Sequence, residues 1–221
     1  MPYDRKFYFD KVRADLFRGN LTQSQVDHQN FLLHIWERFF EADNPRDGTR
    51  WLAYCLATVF HETAQTMAPI EEYGKGKAYK YGQPTGPYGQ CYYGRGHVQL
   101  TWEDNYKNGK KFLKERYGVD ADLHAKPSLM LEGECSALVL FDGMAYGWFT
   151  GVGLPKYFNS TVEDPVNARR IVNGTDKADL IAGYYWKFKA ALRQVTTSAP
   201  VAESDLPGLP KGPAMPEPEA A

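Results

Sequence analysis

The stretch from Arg50 to Thr66 constrains this chain most. Stepping about 100° per residue from Leu52, the side chains of Cys55, Leu56, Val59, Phe60 and Thr63 fall within about 80° of its direction. That stripe predicts a helix over 50–66, with caps offered by Asp47-Gly48-Thr49 and an end enforced by Pro69. A second helical pattern starts at Thr22 and carries Val26, Phe31, Leu32, Ile35, Trp36, Phe39 and Phe40 until Asn44-Pro45 stops it. Further helices fit 102–117, 131–149, 166–172 and 177–192, with Pro155 and Pro165 marking breaks. The stretch from Gly74 to Gly96 is different, with seven glycines, two prolines and several tyrosines. It reads as an extended loop or short hairpin, a poor core and a good wall for a cleft.

The chain ends in a segment of another kind. Residues 196–221 hold six of the 14 prolines and no aromatic. Such a stretch cannot bury enough apolar area to offset its ordering entropy. The expected organisation is a globular domain over 1–195 and a flexible Pro/Ala/Glu-rich tail over 196–221. Glu203, Asp205, Glu217 and Glu219 against Lys211 give the tail a net of −3, so the body carries +2 while the whole chain carries −1. That balance argues against a dedicated nucleic-acid binder and is compatible with an anionic polymer substrate. Aromatic residues reach 14%, which suits a large core or a groove that stacks flat rings. No apolar run approaches the ~18 residues of a membrane span. Asp4, Arg5, Lys6, Asp10, Lys11, Arg13 and Asp15 interrupt the start, so no export signal is expected there. Cys55, Cys91 and Cys135 are too few and too scattered for a disulfide framework.

Two places could carry acid–base chemistry. On the 50–66 helix, Glu62 falls at about −80°, the margin of the apolar stripe, while His61 points the opposite way. A carboxyl at such a rim loses part of its water, which favours the protonated form a general acid needs. Glu71-Glu72 follows Pro69 at the entrance to the glycine-rich loop. Glycoside hydrolysis needs two carboxyl groups flanking the scissile bond, and Glu62 with Glu71 or Glu72 could provide them. Other chemistries fail on spacing. Gln65 stands where a zinc-protease helix needs its second histidine, and His28, His34, His97 and His124 show no ligand spacing. Gly74-Lys75-Gly76-Lys77 lacks the ending of a phosphate loop, and no Gly-x-Ser-x-Gly elbow exists. Neither a metal nor a cofactor is expected.

Three motifs occur in order: His61-Glu62-Thr63; then Tyr92-Tyr93-Gly94-Arg95-Gly96-His97-Val98-Gln99-Leu100-Thr101-Trp102 with Asn105-Tyr106; then Ile171-Val172-Asn173-Gly174. Together they resemble glycoside hydrolase family 19, which contains plant-type chitinases and the lysozyme-like endolysins of phages and prophages. The stretches 16–26 and 67–74 are similar to the endolysin branch. The resemblance implies a mainly α, two-lobed lysozyme-like fold, with the small loop or hairpin region beside the active-site cleft. It implies Glu62 as the general acid and Thr101 as the hydroxyl that helps hold the attacking water. Gln99, Asn105 and Asn173 take the positions of sugar-binding residues. The resemblance further implies Glu72 as the second carboxylate, with Glu71 as the alternative, and a reaction that inverts the anomeric centre. Tyr93 and Trp102 offer faces for sugar rings or pack. Arg95, between two glycines, could tie the loop to a carboxylate with a two-pronged hydrogen bond, and His61 is a supporting neighbour.

The expected function is therefore that of an endolysin-type lysozyme hydrolysing the glycan strands of bacterial peptidoglycan. Chitinase activity on N-acetylglucosamine polymers and a non-catalytic glycan-binding relative are the alternatives. The expected protein is a monomer with no nucleic-acid partner. It collects in the cytoplasm until a separate holin-like membrane protein releases it to the cell wall.

Overall fold

The computed structural model describes residues 2–42 and 47–195. The predicted stop at Asn44-Pro45 and the tail from 196 onward lie outside the described residues. Six α-helices dominate: α1 (Arg5–Asp15), α2 (Gln23–Phe39), α3 (Gly48–Glu62), α4 (Glu103–Tyr117), α5 (Gly133–Tyr146) and α6 (Ala178–Ala191). One small antiparallel sheet joins β1 (Ile70–Glu71) to β2 (Arg95–Gly96), with Ile70 opposite Gly96 and Glu71 opposite Arg95. The mainly helical architecture with a short hairpin region beside a cleft agrees with the expectation.

Helix α3 is the centre of the core. It packs against α6 and α5, and everything from Trp51 to Phe60 is buried. The expected stripe is thus a whole cylinder, which is what a central helix becomes when neighbours cover every side. Ring contacts knit the other layers: Trp36 of α2 and Phe40, which caps it, meet Phe141 of α5 at 5.2 and 5.3 Å, and Phe60 meets Phe188 of α6 at 5.9 Å. Burial pushes the Cys55 thiol up, as fits a small core residue without chemistry.

Several boundaries differ from the sequence reading, each for a local reason. Helix α3 stops at Glu62, four residues before the predicted end. The Thr63 hydroxyl turns back to donate to the Val59 carbonyl at 2.7 Å and accepts the Met67 N–H at 3.0 Å. Ala64, Gln65 and Met67 then take positive φ, so the chain reverses before Pro69 can act. The predicted 131–149 helix loses its start to a 3-10 turn at Pro127–Leu131 and its end to Gly147 at φ 72°. The 166–172 helix is a 3-10 turn over Asn167–Ile171. Helix α1 was not anticipated. Its charges obscure the buried set of Tyr8, Phe9 and Val12, and Asp4 caps it by accepting from the Phe7 N–H at 3.0 Å.

Gly96 and His97 join the sheet to α5. Gly96 has φ +85° and lies where an added Cβ would sit 2.6 Å from Ser136 Oγ, which accepts the His97 N–H at 2.8 Å. The His97 ring is fully buried, and that burial lowers its pKa from 6.5 to about 3. The unfolded chain therefore takes up this proton below 6.5 while the folded protein refuses it. The stability His97 contributes is complete above 6.5 and is lost as pH falls toward 3. Asp142, buried beside Arg116 and raised from 3.8 to about 6, works the other way between those values. Comparing variants separates the two. Between about pH 7 and about pH 4.5, His97→Phe is expected to lose about 2–3 kcal/mol less than wild type in urea unfolding, at ~1.4 kcal/mol per unit. Parallel pH profiles for the two proteins would refute this role.

Candidate active site

The stop of α3 sets the site. Glu62 is the last helical residue, at the edge of a helix whose preceding three turns are core. Its Oε1 accepts a 2.6 Å hydrogen bond from Nη1 of Arg169, which is 3% exposed, while the Glu62 side chain is 17% exposed. Arg169 is held in turn by donating from Nε to the Asp176 carbonyl at 3.0 Å. The apolar rim foreseen for Glu62 is therefore replaced by an ion pair from the Asn167–Ile171 turn. His61 is half-buried beside this pair, and burial holds its imidazole below the usual range.

The opposite wall is built from the sheet and the glycine-rich loop. Glu71 accepts from the Tyr93 hydroxyl at 2.7 Å, from Lys75 Nζ at 3.0 Å and from Arg95 Nε at 3.4 Å. The Tyr93 hydrogen bond and Lys75 hold its carboxyl below the ordinary range. Glu72 has lighter partners: the Gly94 N–H at 3.2 Å and the Tyr81 hydroxyl at 3.4 Å. The Arg95 guanidinium is buried, 3.6 Å from the centre of the Tyr93 ring, and donates to the Cys91 carbonyl at 2.9 Å and the Tyr106 hydroxyl at 3.2 Å.

The floor between the walls is strained and tightly bonded. Gln99 adopts φ 53° and its amide donates to the Ile70 and Gly96 carbonyls, both at 3.0 Å, clamping the sheet. The Thr101 hydroxyl donates to the Gln99 carbonyl at 2.7 Å, and Asn105 Nδ2 donates to the Thr101 carbonyl at 2.8 Å. Trp102 follows at φ 75° with its side chain half in solvent. Backbone held in this region by non-glycine residues is the kind of strain that collects at functional sites.

Two adjoining hollows, of about 330 and 360 Å³, form one groove. Glu62, Tyr81, Gln99, Thr101 and Asn173 line both. Trp102 and Asn105 line the first, and Glu71 and Glu72 line the second. The structure thus brings Glu62, Glu71, Glu72, Gln99, Thr101, Trp102, Asn105 and Asn173 together. Two expectations are corrected. Tyr93 presents no face to a sugar, because its ring is buried over Arg95 and its hydroxyl is engaged by Glu71. Arg95 makes no two-pronged grip, because its Nη1 turns to carbonyls and only Nε reaches Glu71. Arg169 was missed altogether, although Arg169-Arg170 directly precedes the Ile171-Val172-Asn173-Gly174 motif and offered a cation there. Among the described residues, no group of His, Cys, Asp or Glu could hold a metal ion, and no helix is long and apolar enough to cross a membrane.

Comparison with known proteins finds similarity to endochitinases. No family model matches the chain. Endochitinase A of Zea mays is 30% identical over 195 residues, covering 84% of this chain and 66% of the maize protein. An endochitinase of Arabidopsis thaliana is 30% identical over 123 residues, 54% of this chain and 41% of its own length. The chain thus spans less than two thirds of the length of these curated relatives. Among solved structures, chitinase C from Streptomyces griseus HUT6037 superposes with a TM-score of 0.53 at 22% identity, covering 85% of this chain and 74% of that one, a likeness of fold.

The Glu62–Arg169 pair has a measurable consequence. Arg169→Leu leaves a largely buried carboxylate without its cation and is expected to cost about 2–3 kcal/mol in urea unfolding. Adding Glu62→Gln to that variant should recover part of the loss. A double variant as unstable as the sum of the two single changes would show that the residues do not interact.

Proposed function

We propose that the chain is a glycoside hydrolase of the family 19 type, an endolysin-type lysozyme that hydrolyses the glycan strands of bacterial peptidoglycan. The observation that carries the reading is one groove with Glu62 on one wall, the Glu71–Glu72 pair on the other, and Thr101 and Asn173 between. Glu62 is the general acid. Arg169 holds its Oε1, so Oε2 delivers the proton to the glycosidic oxygen. Glu72 is the base. Its carboxylate accepts only a backbone N–H and a distant phenol, whereas Glu71 is occupied by Tyr93, Lys75 and Arg95 as a strut for the wall. Water sits between Thr101 and Glu72 and attacks the anomeric carbon from the face opposite the leaving oxygen. This single displacement inverts the anomeric centre and asks for carboxyls about 6.5–9.5 Å apart.

Asn173 and Asn105 are placed to meet acetamido and hydroxyl groups, and the exposed Trp102 ring offers a stacking face. Gln99 acts mainly through the backbone, since its amide N–H groups are spent on the sheet. The similarity of 16–26 and 67–74 to endolysins supports the peptidoglycan substrate, with a separate holin-like membrane protein giving access to the wall. The endochitinase relatives favour a second reading, cleavage of chitin, whose backbone is also N-acetylglucosamine.

Digesting purified sacculi and chitin in parallel decides between them. We expect soluble muropeptides with hydrolysed reducing-end sugars by mass spectrometry, and a fall of about 10²–10⁴-fold in rate for Glu62→Gln, the range of general-acid catalysis. Glu72→Gln should fall comparably and Glu71→Gln less. Oligosaccharide release from chitin with intact sacculi reverses the substrate ranking. Equal lysis of permeabilised cells by Glu62→Gln and wild type removes the acid assignment.

A further inference from the structure

Between Glu72 and Glu103 the chain contains no acidic residue, yet it carries Lys75, Lys77, Lys80 and Arg95. Lys75 and Arg95 are committed to Glu71. Lys77 and Lys80 are exposed and form no ion pair among the described residues. Their place follows from the turn that bears them. Gly76 is buried at φ +63°, where an added Cβ would lie 2.5 Å from the Tyr81 ring. The Lys77 N–H donates to the Gly74 carbonyl at 3.1 Å, and the Tyr79 N–H to the Gly76 carbonyl at 2.8 Å. This tight fold seats Gly76 on Tyr81 and leaves the side chains of 75, 77, 79 and 80 exposed around it.

Tyr81 lines both halves of the groove, and the turn that bears the lysines packs on its ring just outside that lining. Tyr79 stacks on Tyr81 at 5.1 Å, Tyr81 meets Trp102 edge-on at 5.1 Å, and Tyr73 projects with 84% of its surface in solvent. An exposed run of rings beside unpaired cations suits a ligand with flat sugars and pendant anions. We propose that Lys77 and Lys80 form a rim that recognises the carboxylates on the muramyl branches of the glycan strand, while Tyr73, Tyr79 and Trp102 take its sugar faces. The inference rests on the peptidoglycan reading and sharpens it. Chitin carries no charge and gains nothing from the rim, whereas each muramyl unit presents carboxylates, either on its stem peptide or on the lactyl group itself.

Sedimentation binding to sacculi and to colloidal chitin tests this. Lys77→Gln/Lys80→Gln is expected to bind sacculi about five- to tenfold more weakly than wild type at low salt, the sum of two exposed ion pairs. The gap should close near 1 M salt, where screening shortens to ~3 Å. Affinity for chitin should be the same for both proteins, and unfolding midpoints should coincide. Lys111→Gln/Lys187→Gln, which removes the same charge from α4 and α6, is the control for net charge. Equal loss in the control, equal loss on chitin, or wild-type binding by the rim variant would each overturn the proposal. Amidase-released strands, which keep only the lactyl carboxylate, used as competitors distinguish that source from the stem peptide. If neither polymer yields reducing ends but the binding contrast persists, the hydrolase reading fails while the rim stands.

Discussion

Burial of α3 on every side is the constraint from which the rest of the molecule follows. A helix enclosed by α5 and α6 has no freedom to slide or roll without opening cavities, each costing several kcal/mol. Its last residue is therefore delivered to a fixed place, and the Thr63 hydroxyl prevents the helix from running past it. The acid of the site needs no loop to aim it. Arg169, brought from a segment 107 residues away, then fixes the direction of the carboxyl.

The facing wall obeys different physics. Tyr92, Val98 and Leu100 tie it to the core, and its polar bonds centre on the buried Arg95. Arg95 lies against two tyrosine rings and donates to three backbone or phenolic oxygens as well as to Glu71. Buried charges persist only when so surrounded. The groove thus joins a wall positioned by packing to a wall positioned by hydrogen bonds, with Gln99 and Thr101 as the seam.

Features that depend on periodicity were legible in the sequence. The α2, α4 and α6 patterns and the central stripe of α3 emerge from spacing alone, and Glu62, the Glu71–Glu72 pair and the glycine-rich wall emerge with them. What was hidden depends on distant partners. No local pattern pairs Arg169 with Glu62, since each looks like an ordinary surface charge until the fold joins them. Tyr93 lies in a tyrosine-rich stretch, and nothing local says that its ring packs on Arg95 while Glu71 takes its hydroxyl. The early stop of α3 depends on one threonine hydroxyl, a competitor with the backbone that helix periodicity does not register.

The two-residue strands carry one more implication. A sheet of so few rungs has little ladder of its own to resist local opening. Amide protons of β1, β2 and the turns between them should trade with solvent deuterium long before those of α3 and α5. Opening of that kind would leave in place the buried bundle that holds the acid.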